Sequence, residues 1–286
     1  MDNIILCPNV ARDHGFEMTL RANEIIKSLG RSTVICPLFD DDTAAEIPAG
    51  LATSRLEDEL VTAEMIITFG GDGTILRAVR AAADLSVPVL GVNMGGKGFM
   101  AELEREDIGL IATAASGKYG IDNRMMLDVD LVRDGEIIMS DFALNDVVIG
   151  GLNKMIEVTI FGDGQKISHF SGDGTIIATP TGSTAYSMAA GGPIVEPTAH
   201  NILVTPVCAH LLEARPFVLV SDRCVTVEIG ESKASHAYLS VDGCDSVTIY
   251  SGDTVNVRKS SKKACLVQLS GRSFYRKVSE KLGERL

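Results

Sequence analysis

The residues best able to do chemistry form one turn, Gly70-Gly71-Asp72-Gly73-Thr74, set between an apolar run, Met65-Ile66-Ile67-Thr68-Phe69, and an amphipathic run beginning Ile75-Leu76-Arg77-Ala78-Val79. Strand, glycine turn and helix, in that order, make an anion site. Glycines let a ligand approach the backbone, and the first amides of the following helix point outward with the positive end of its dipole behind them. Gly70, Gly71, Gly73 and Thr74 are therefore candidate phosphate contacts. Asp72 conflicts with that role, because a carboxylate opposes a bound anion unless it takes a proton or holds a metal. The conflict points to chemistry rather than packing.

Gly-Asp-Gly recurs at 162–164 and 172–174, so the tripeptide alone carries no meaning. The 162–164 copy lies between two strand-like runs, Ile156 to Phe161 and Lys166 to Phe170, and reads as a hairpin turn. The 172–174 copy precedes a strand, Thr175 to Ala178, and then Thr179-Pro180-Thr181-Gly182-Ser183-Thr184-Ala185-Tyr186-Ser187. Those hydroxyls suit helix capping, and equally suit ribose and phosphate oxygens. Gly91-Val92-Asn93-Met94-Gly95-Gly96-Lys97-Gly98 matches the first seven positions of a P-loop but has glycine where a hydroxyl must meet magnesium. It reads instead as a glycine-rich loop around a nucleotide, with Phe99 against it or in a domain-junction core. No G-x-S-x-G nucleophile elbow is present.

The elements that must position these residues change character along the chain. Up to about Glu102, short apolar runs at Asn3–Cys7, Ser32–Cys36, Met65–Phe69 and Pro88–Val92 alternate with helical patterns, as βαβ units do. Phe16, Leu20, Ile26 and Leu29 mark one helix, stopped by Gly30; a short helix is expected near Arg55 to Leu60. Asp40-Asp41-Asp42 reads as a solvated loop. Beyond a helical segment near Ile108–Ala115, period-two runs predominate: a hairpin of Met126–Val132 and Glu136–Met139, then Ile156–Phe161, Ile176–Ala178, Phe217–Val220, Val225–Ile229, Tyr238–Val241, Ser246–Tyr250, Thr254–Arg258 and Ala264–Leu269. The fold expected is an α/β domain with a parallel sheet over residues 1–102 and a β-rich, sandwich-like domain over 103–271. A terminal helix within 272–286 is expected to pack back on the first.

Composition sets the limits. The chain has 286 residues, 45% hydrophobic and 22% charged, enough for two full cores. Its net charge of -12 argues against nucleic acid and anionic membranes as partners, so an anionic ligand must be captured locally, with a divalent cation helping. Six cysteines without a C-x-x-C pair imply neither zinc nor a disulfide scaffold, and a reducing cytoplasm is the expected setting. No basic n-region or membrane-length apolar run is read, so a soluble, unprocessed protein is expected.

Taken together, these segments resemble the NAD kinase family over most of the chain. Gly70–Thr74 is similar to its GGDGT motif, and Gly91–Glu102 to its glycine-rich loop ending in Gly-Phe. Phe142-Ala143-Leu144-Asn145-Asp146 resembles its Ala-Leu-Asn-Glu segment, and Asp173–Gly192 its most diagnostic stretch. Pro206–His210, Ala214-Arg215-Pro216 and Val241-Asp242-Gly243 match further short motifs. Asp146 stands where glutamate is commoner, Ala209 replaces a usual proline, and Ser171 lies where several bacterial members carry arginine. GGDGT is shared with diacylglycerol and sphingosine kinases; the 173–192 block is far more specific.

The resemblance implies a nucleotide site between the two domains, a homotetramer or homodimer, and phosphoryl transfer from ATP or polyphosphate to the 2′-hydroxyl of the adenosine ribose of NAD. It implies Asp72 as general base. For NAD it implies Gly73, Phe99, Asn145, Asp146, Asp173, Thr181, Thr184, Ala185, Tyr186 and Ala189, with Lys97, His210 and Asp242 behind them. Mg²⁺ is expected on the donor phosphates, not in an all-protein cage. The alternatives are a lipid kinase using the same turn, for which this acidic chain offers no membrane-facing segment, and a dinucleotide sensor without catalysis.

Overall fold

The computed structural model describes residues 3–38, 47–96, 98–152, 154–210, 214–230, 237–269, 271 and 274–283. The acidic triplet Asp40–Asp42 and Lys97 lie outside the described residues. The chain divides into two compact units, residues 1–123 with 264–286, and residues 124–263.

In the first unit β1 (Asn3–Pro8), α1 (Glu17–Ser28), β2 (Thr33–Ile35), α2 (Leu56–Glu59), β3 (Ala63–Gly70), α3 (Asp72–Ala82), β4 (Val89–Asn93), β5 (Leu103–Glu104) and α4 (Ile111–Ala115) follow one another. The strands pair in parallel in the order β2-β1-β3-β4-β5. Met65 to Phe69 is buried throughout, as a parallel strand covered on both faces must be, which is why that run shows no alternation. The helix read from Phe16 begins one residue later, and the buried Asp13 carboxylate, rather than a residue at its N-cap, accepts the amides of Met18 (3.1 Å) and Thr19 (3.0 Å).

In the second unit two antiparallel sheets enclose one core. Its strands are β6 (Gly120–Arg133), β7 (Glu136–Ala143), β8 (Asp146–Gly151), β9 (Ile156–Gly162), β10 (Gln165–Gly172), β11 (Gly174–Ala178), β12 (Asn201–Val207), β13 (Phe217–Val220), β14 (Val225–Ile229), β15 (Ala237–Val241), β16 (Val247–Ile249) and β17 (Thr254–Gln268), with a short α5 (Tyr186–Ala189) after β11. One sheet runs β10-β9-β14-β17 and continues through β6 to β7; the other runs β13-β12-β11-β8-β15-β16. Leu127, Val129, Ile160, Phe170 and Val227 from the first sheet meet Ile149, Ile177, Val204 and Leu239 from the second. Period-two burial along β9 and β14 follows from that sandwich. The hairpin turns at Asp134-Gly135 and Asp163-Gly164 carry positive φ at both residues, in keeping with the turns expected there.

The division falls at 123/124 and 263/264, not at the expected 102/103 and 271. The reason is packing. β5 pairs with β4, and Ile108, Ile111, Ala114 and Ala115 share the core of Ile4, Leu6, Ile67 and Leu90. Val267 joins the same core, and Leu266 pairs with Val89. The strands expected at Thr254–Arg258 and Ala264–Leu269 form a single β17. The terminal helix, α6 (Phe274–Gly283), belongs to the first unit, where Lys277 Nζ donates to Ala101 O at 2.9 Å.

A missing side chain sets how closely α3 lies on β4. A Cβ at Gly91 would fall 2.4 Å from Ile75 Cδ1 and 3.2 Å from Ala101 Cα. Gly91→Ala is expected to lower stability by about 1–3 kcal/mol, the usual cost of overpacking, and Ile75→Val is expected to recover part of it. Urea denaturation of the single and double variants checks this; an unchanged midpoint for Gly91→Ala would refute the close contact.

Candidate functional site

The first unit supplies a carboxylate on a helix start. β3 ends at Gly70, Gly71 is the N-cap of α3 in extended geometry, and Asp72 is its first residue. The Asp72 carboxylate accepts the amides of Phe99 (2.7 Å) and Met100 (3.1 Å), from the loop that follows β4. A Cβ at Gly98 would lie 2.5 Å from Asp72 Oδ1, so glycine there is what lets the loop close on the acid. Burial pushes the Asp72 carboxyl above the ordinary carboxylate range, opposed by those two amides and by the charges of Lys277 and Lys281. Thr74 is buried, and its hydroxyl accepts Asn9 Nδ2 at 3.2 Å. Gly70 leaves it room: a Cβ there would fall 2.2 Å from Thr74 Oγ1. A Cβ at Gly73, by contrast, would meet nothing within 4 Å among the described residues.

The second unit gathers its residues around another carboxylate. Asp242, at positive φ, accepts three successive amides: Leu144 (2.8 Å), Asn145 (2.7 Å) and Asp146 (3.1 Å). Its own amide donates to Asp146 O at 2.9 Å. Asn145 O accepts Thr179 N at 2.9 Å, and a Cβ at Gly182 would stand 2.0 Å from that same oxygen. The turn 144–146 and the stretch 179–182 therefore fit only because residue 182 has no side chain. Asp146 is buried, and its carboxyl is pushed up to about 7, first by burial and then by the Asp242 charge, with the Tyr186 amide opposing.

The remaining candidates take defined places. Thr181 is buried and accepts Arg124 Nη1 at 3.3 Å; Thr184 Oγ1 donates to Thr181 O. Ala185 precedes α5, while Tyr186 and Ala189 of that helix are exposed. Asp173 is exposed in a cleft of about 560 Å³ lined also by Gly150, Gly174, Tyr186, Cys208 and Tyr238. The Asp173 carboxylate pushes the Cys208 thiol above its ordinary range. Gly174 is required by the third Gly-Asp-Gly, since its φ is +157° and a Cβ would lie 2.1 Å from Ile149 O. His210 is exposed and holds Ser171 O through its backbone amide at 2.8 Å; Phe99 is half-buried.

Two residues carry contacts that no local motif announces. Arg124 sits at the start of the second unit with no motif around it, and Asn93 ends β4 at the head of a loop whose signature is its glycines. Asn93 pairs with Gly70 across the sheet and donates to Glu104 Oε2 at 2.7 Å. Its Oδ1 is buried and has no hydrogen-bond partner among the described residues. Only the pairing of β3 with β4 puts it beside the turn.

Comparison with known proteins gives a consistent picture. Residues 19–118 match the family model described as the ATP-NAD kinase N-terminal domain, and residues 144–269 match the ATP-NAD kinase C-terminal domain. The chain is 37% identical over 290 residues to the NAD kinase of Acetivibrio thermocellus, covering 100% of this chain and 98% of the relative. It is 38% identical over 285 residues to the NAD kinase of Natranaerobius thermophilus, covering 99% and 98%. Among solved structures, yeast NADH kinase complexed with NADH superposes with a TM-score of 0.84 at 27% identity, covering 99% of this chain and 88% of that one. An NAD kinase from Archaeoglobus fulgidus has the same fold, with a TM-score of 0.72 at 23% identity and 99% coverage of each chain.

Asp146 yields a pH prediction. An acid whose folded value lies above its unfolded value binds more protons when folded, so its favourable contribution is complete below about pH 4 and is lost as pH rises through about 7. Asp146→Asn is therefore expected to gain stability on the parent between pH 4 and pH 8, the gap widening with pH. Thermal denaturation across that range checks it; a gap independent of pH would refute the assignment.

Proposed function

Because this chain belongs to the NAD kinase family, we propose that Asp72 is the general base for transfer of a terminal phosphoryl group from ATP to the 2′-hydroxyl of the adenosine ribose of NAD. The product is NADP. The observation that carries the residue assignment is the Asp72 carboxylate itself, half-buried at the first position of α3 and tied down by two amides. In the step, the 2′-oxygen forms a bond to the γ-phosphorus, the bond from that phosphorus to the β,γ-bridging oxygen breaks, and ADP leaves. The hydroxyl proton passes to the Asp72 carboxylate. Such a transfer asks a protein mainly for alignment and charge neutralisation.

Gly70, Gly71, Gly73 and Thr74 are the proposed donor contacts, at the positive end of an eleven-residue helix. The Thr74 amide is taken by Gly71 O at 3.0 Å, whereas its hydroxyl accepts from Asn9 and keeps its own proton to donate. For the acceptor, Asn145 offers an amide that can both donate and accept against adenine, and Asp146, near neutrality, offers an acid or an anion. Thr181, Thr184, Ala185, Tyr186 and Ala189 are proposed to line the nucleoside, Asp173 to bind at its cleft, and Phe99 to give an apolar wall. Asp242 works through the turn it holds. Lys97 and His210 are supporting contacts in this proposal.

Mg²⁺ is proposed to accompany the donor, where it neutralises phosphate charge. The side-chain atoms bordering the turn suit its water shell: Asn93 Oδ1, buried and unpartnered among the described residues, and the Glu104 carboxylate beside it are hard oxygen acceptors. The enzyme is proposed to work in the cytoplasm as a homotetramer or homodimer. No described helix is long and apolar enough to cross a membrane.

Asp72→Asn is expected to cut kcat by about 10² to 10⁴ while leaving the affinity for NAD within about twofold. Since burial raises the Asp72 carboxyl, the parent rate should climb with pH as that group ionises, and the variant should lack the climb. A coupled dehydrogenase assay for NADP reads both. Undiminished turnover in the variant would reject Asp72 as the base.

A further inference from the structure

Three cationic side chains from distant parts of the chain meet at the loop that holds Asp72. Arg12, just past β1, donates Nη1 to Gly95 O at 3.0 Å, and its guanidinium carbon stands 3.8 Å from where a Cβ of Gly71 would be. Lys281 Nζ donates to Gly96 O at 3.2 Å, and Lys277 Nζ to Ala101 O at 2.9 Å, with Glu102 at 3.9 Å. The two lysines are four residues apart on α6, so one face of the helix presents both ammonium groups to the 95–101 loop. An ammonium has three donors and a guanidinium five, whereas the carbonyl bonds of Lys281 and Arg12 each use one.

We propose that Arg12, Lys277 and Lys281 bind the anionic phosphate chain of the donor beside the Gly70–Thr74 turn, an inference that rests on the phosphotransferase reading above. The chain as a whole carries a net charge of -12, so it offers a polyanion no general attraction. The donor brings several more negative charges to a turn that already holds a carboxylate. Local cations must offset both. Arg12 and Lys281 reach backbone carbonyls at this loop, which anchor the side chains without cancelling their charge. Lys277 and Lys281 already act on Asp72, offsetting part of the effect of its burial. The same carbonyl anchors tie the cations to the loop whose amides hold the base, so phosphate binding and base placement share one support.

The test uses the full-length enzyme with Mg-ATP and NAD varied separately, and inorganic tripolyphosphate as a competitor of ATP. Arg12→Gln and Lys281→Gln are each expected to raise KM for ATP roughly tenfold, the scale of one charge-assisted bond, with KM for NAD within about twofold. Inhibition by tripolyphosphate should weaken in parallel. Lys281→Arg should keep most of the parent KM. Arg276→Gln, on the same helix but paired with Glu280, should change neither constant. An unchanged KM for ATP in both Arg12→Gln and Lys281→Gln overturns the proposal, and so does a rise in KM for NAD instead. Arg12→Gln leaves α6 untouched, so it decides the matter should a lysine variant loosen the helix. A parent enzyme that makes no NADP from NAD and ATP would instead overturn the phosphotransferase reading.

Discussion

A carboxylate drawn partly out of water needs donors from the protein in exchange, and the half-buried Asp72 meets that condition. Its donors are amides of the loop after β4, so the acid, the start of α3 and the 98–100 backbone form one unit of structure. Everything else in the first unit serves that arrangement. The parallel order puts β4 next to β3, which brings the loop to the turn; Gly98 leaves space for the acid; Gly91 lets α3 settle on the sheet. Burial makes the carboxyl a better proton acceptor, while the amides and lysines keep that shift in check. The base role proposed for Asp72 draws on this balance.

The second unit uses the same device to another end. Asp242 collects three consecutive amides and so shapes the 144–146 turn, but the charge it brings burdens Asp146. One acid is satisfied by backbone donors; its neighbour is left with the Tyr186 amide and a strong preference for its proton. Where glutamate is commoner in the family, the shorter aspartate keeps its carboxyl close to the backbone, and here it is buried. The arrangement is one of like charges held at close range by backbone geometry.

The sequence exposed the parts with strong local signatures. The strand-turn-helix around Asp72 was legible because apolar run, glycines and amphipathic run follow without interruption, and the Asp163-Gly164 turn because two strand-like runs flank it. β8 and β12 were not anticipated. Val147, Val148 and Ile149 are all buried, since β8 is central and covered on both faces, so its residues do not alternate. β12 hides behind Pro206, which still sits in the ladder opposite Thr175. The domain boundary shifted because β5 and α4 extend the first core beyond the point where period-two patterns begin to appear. At the site, residue types such as Asn145 and Asp173 could be named from motifs, but the role of Asp242 could not. Its three amides lie nearly a hundred positions earlier, and only the pairing of β15 with β8 brings them together.

The order of the chain adds a constraint of its own. Residues 124–263 are inserted within the first unit, which closes only with residues 264–286, and the 144–146 turn waits for Asp242. During synthesis, the strand and helix bearing Asp72 emerge before the whole second unit, and the lysines of α6 only after it. Contacts of such long sequence separation are slow to form, because the intervening chain must first be ordered. A nascent fragment that stops short of α6 thus holds the acid and Arg12 without the two lysines, and the loop gains its remaining cations only after the second unit has been made.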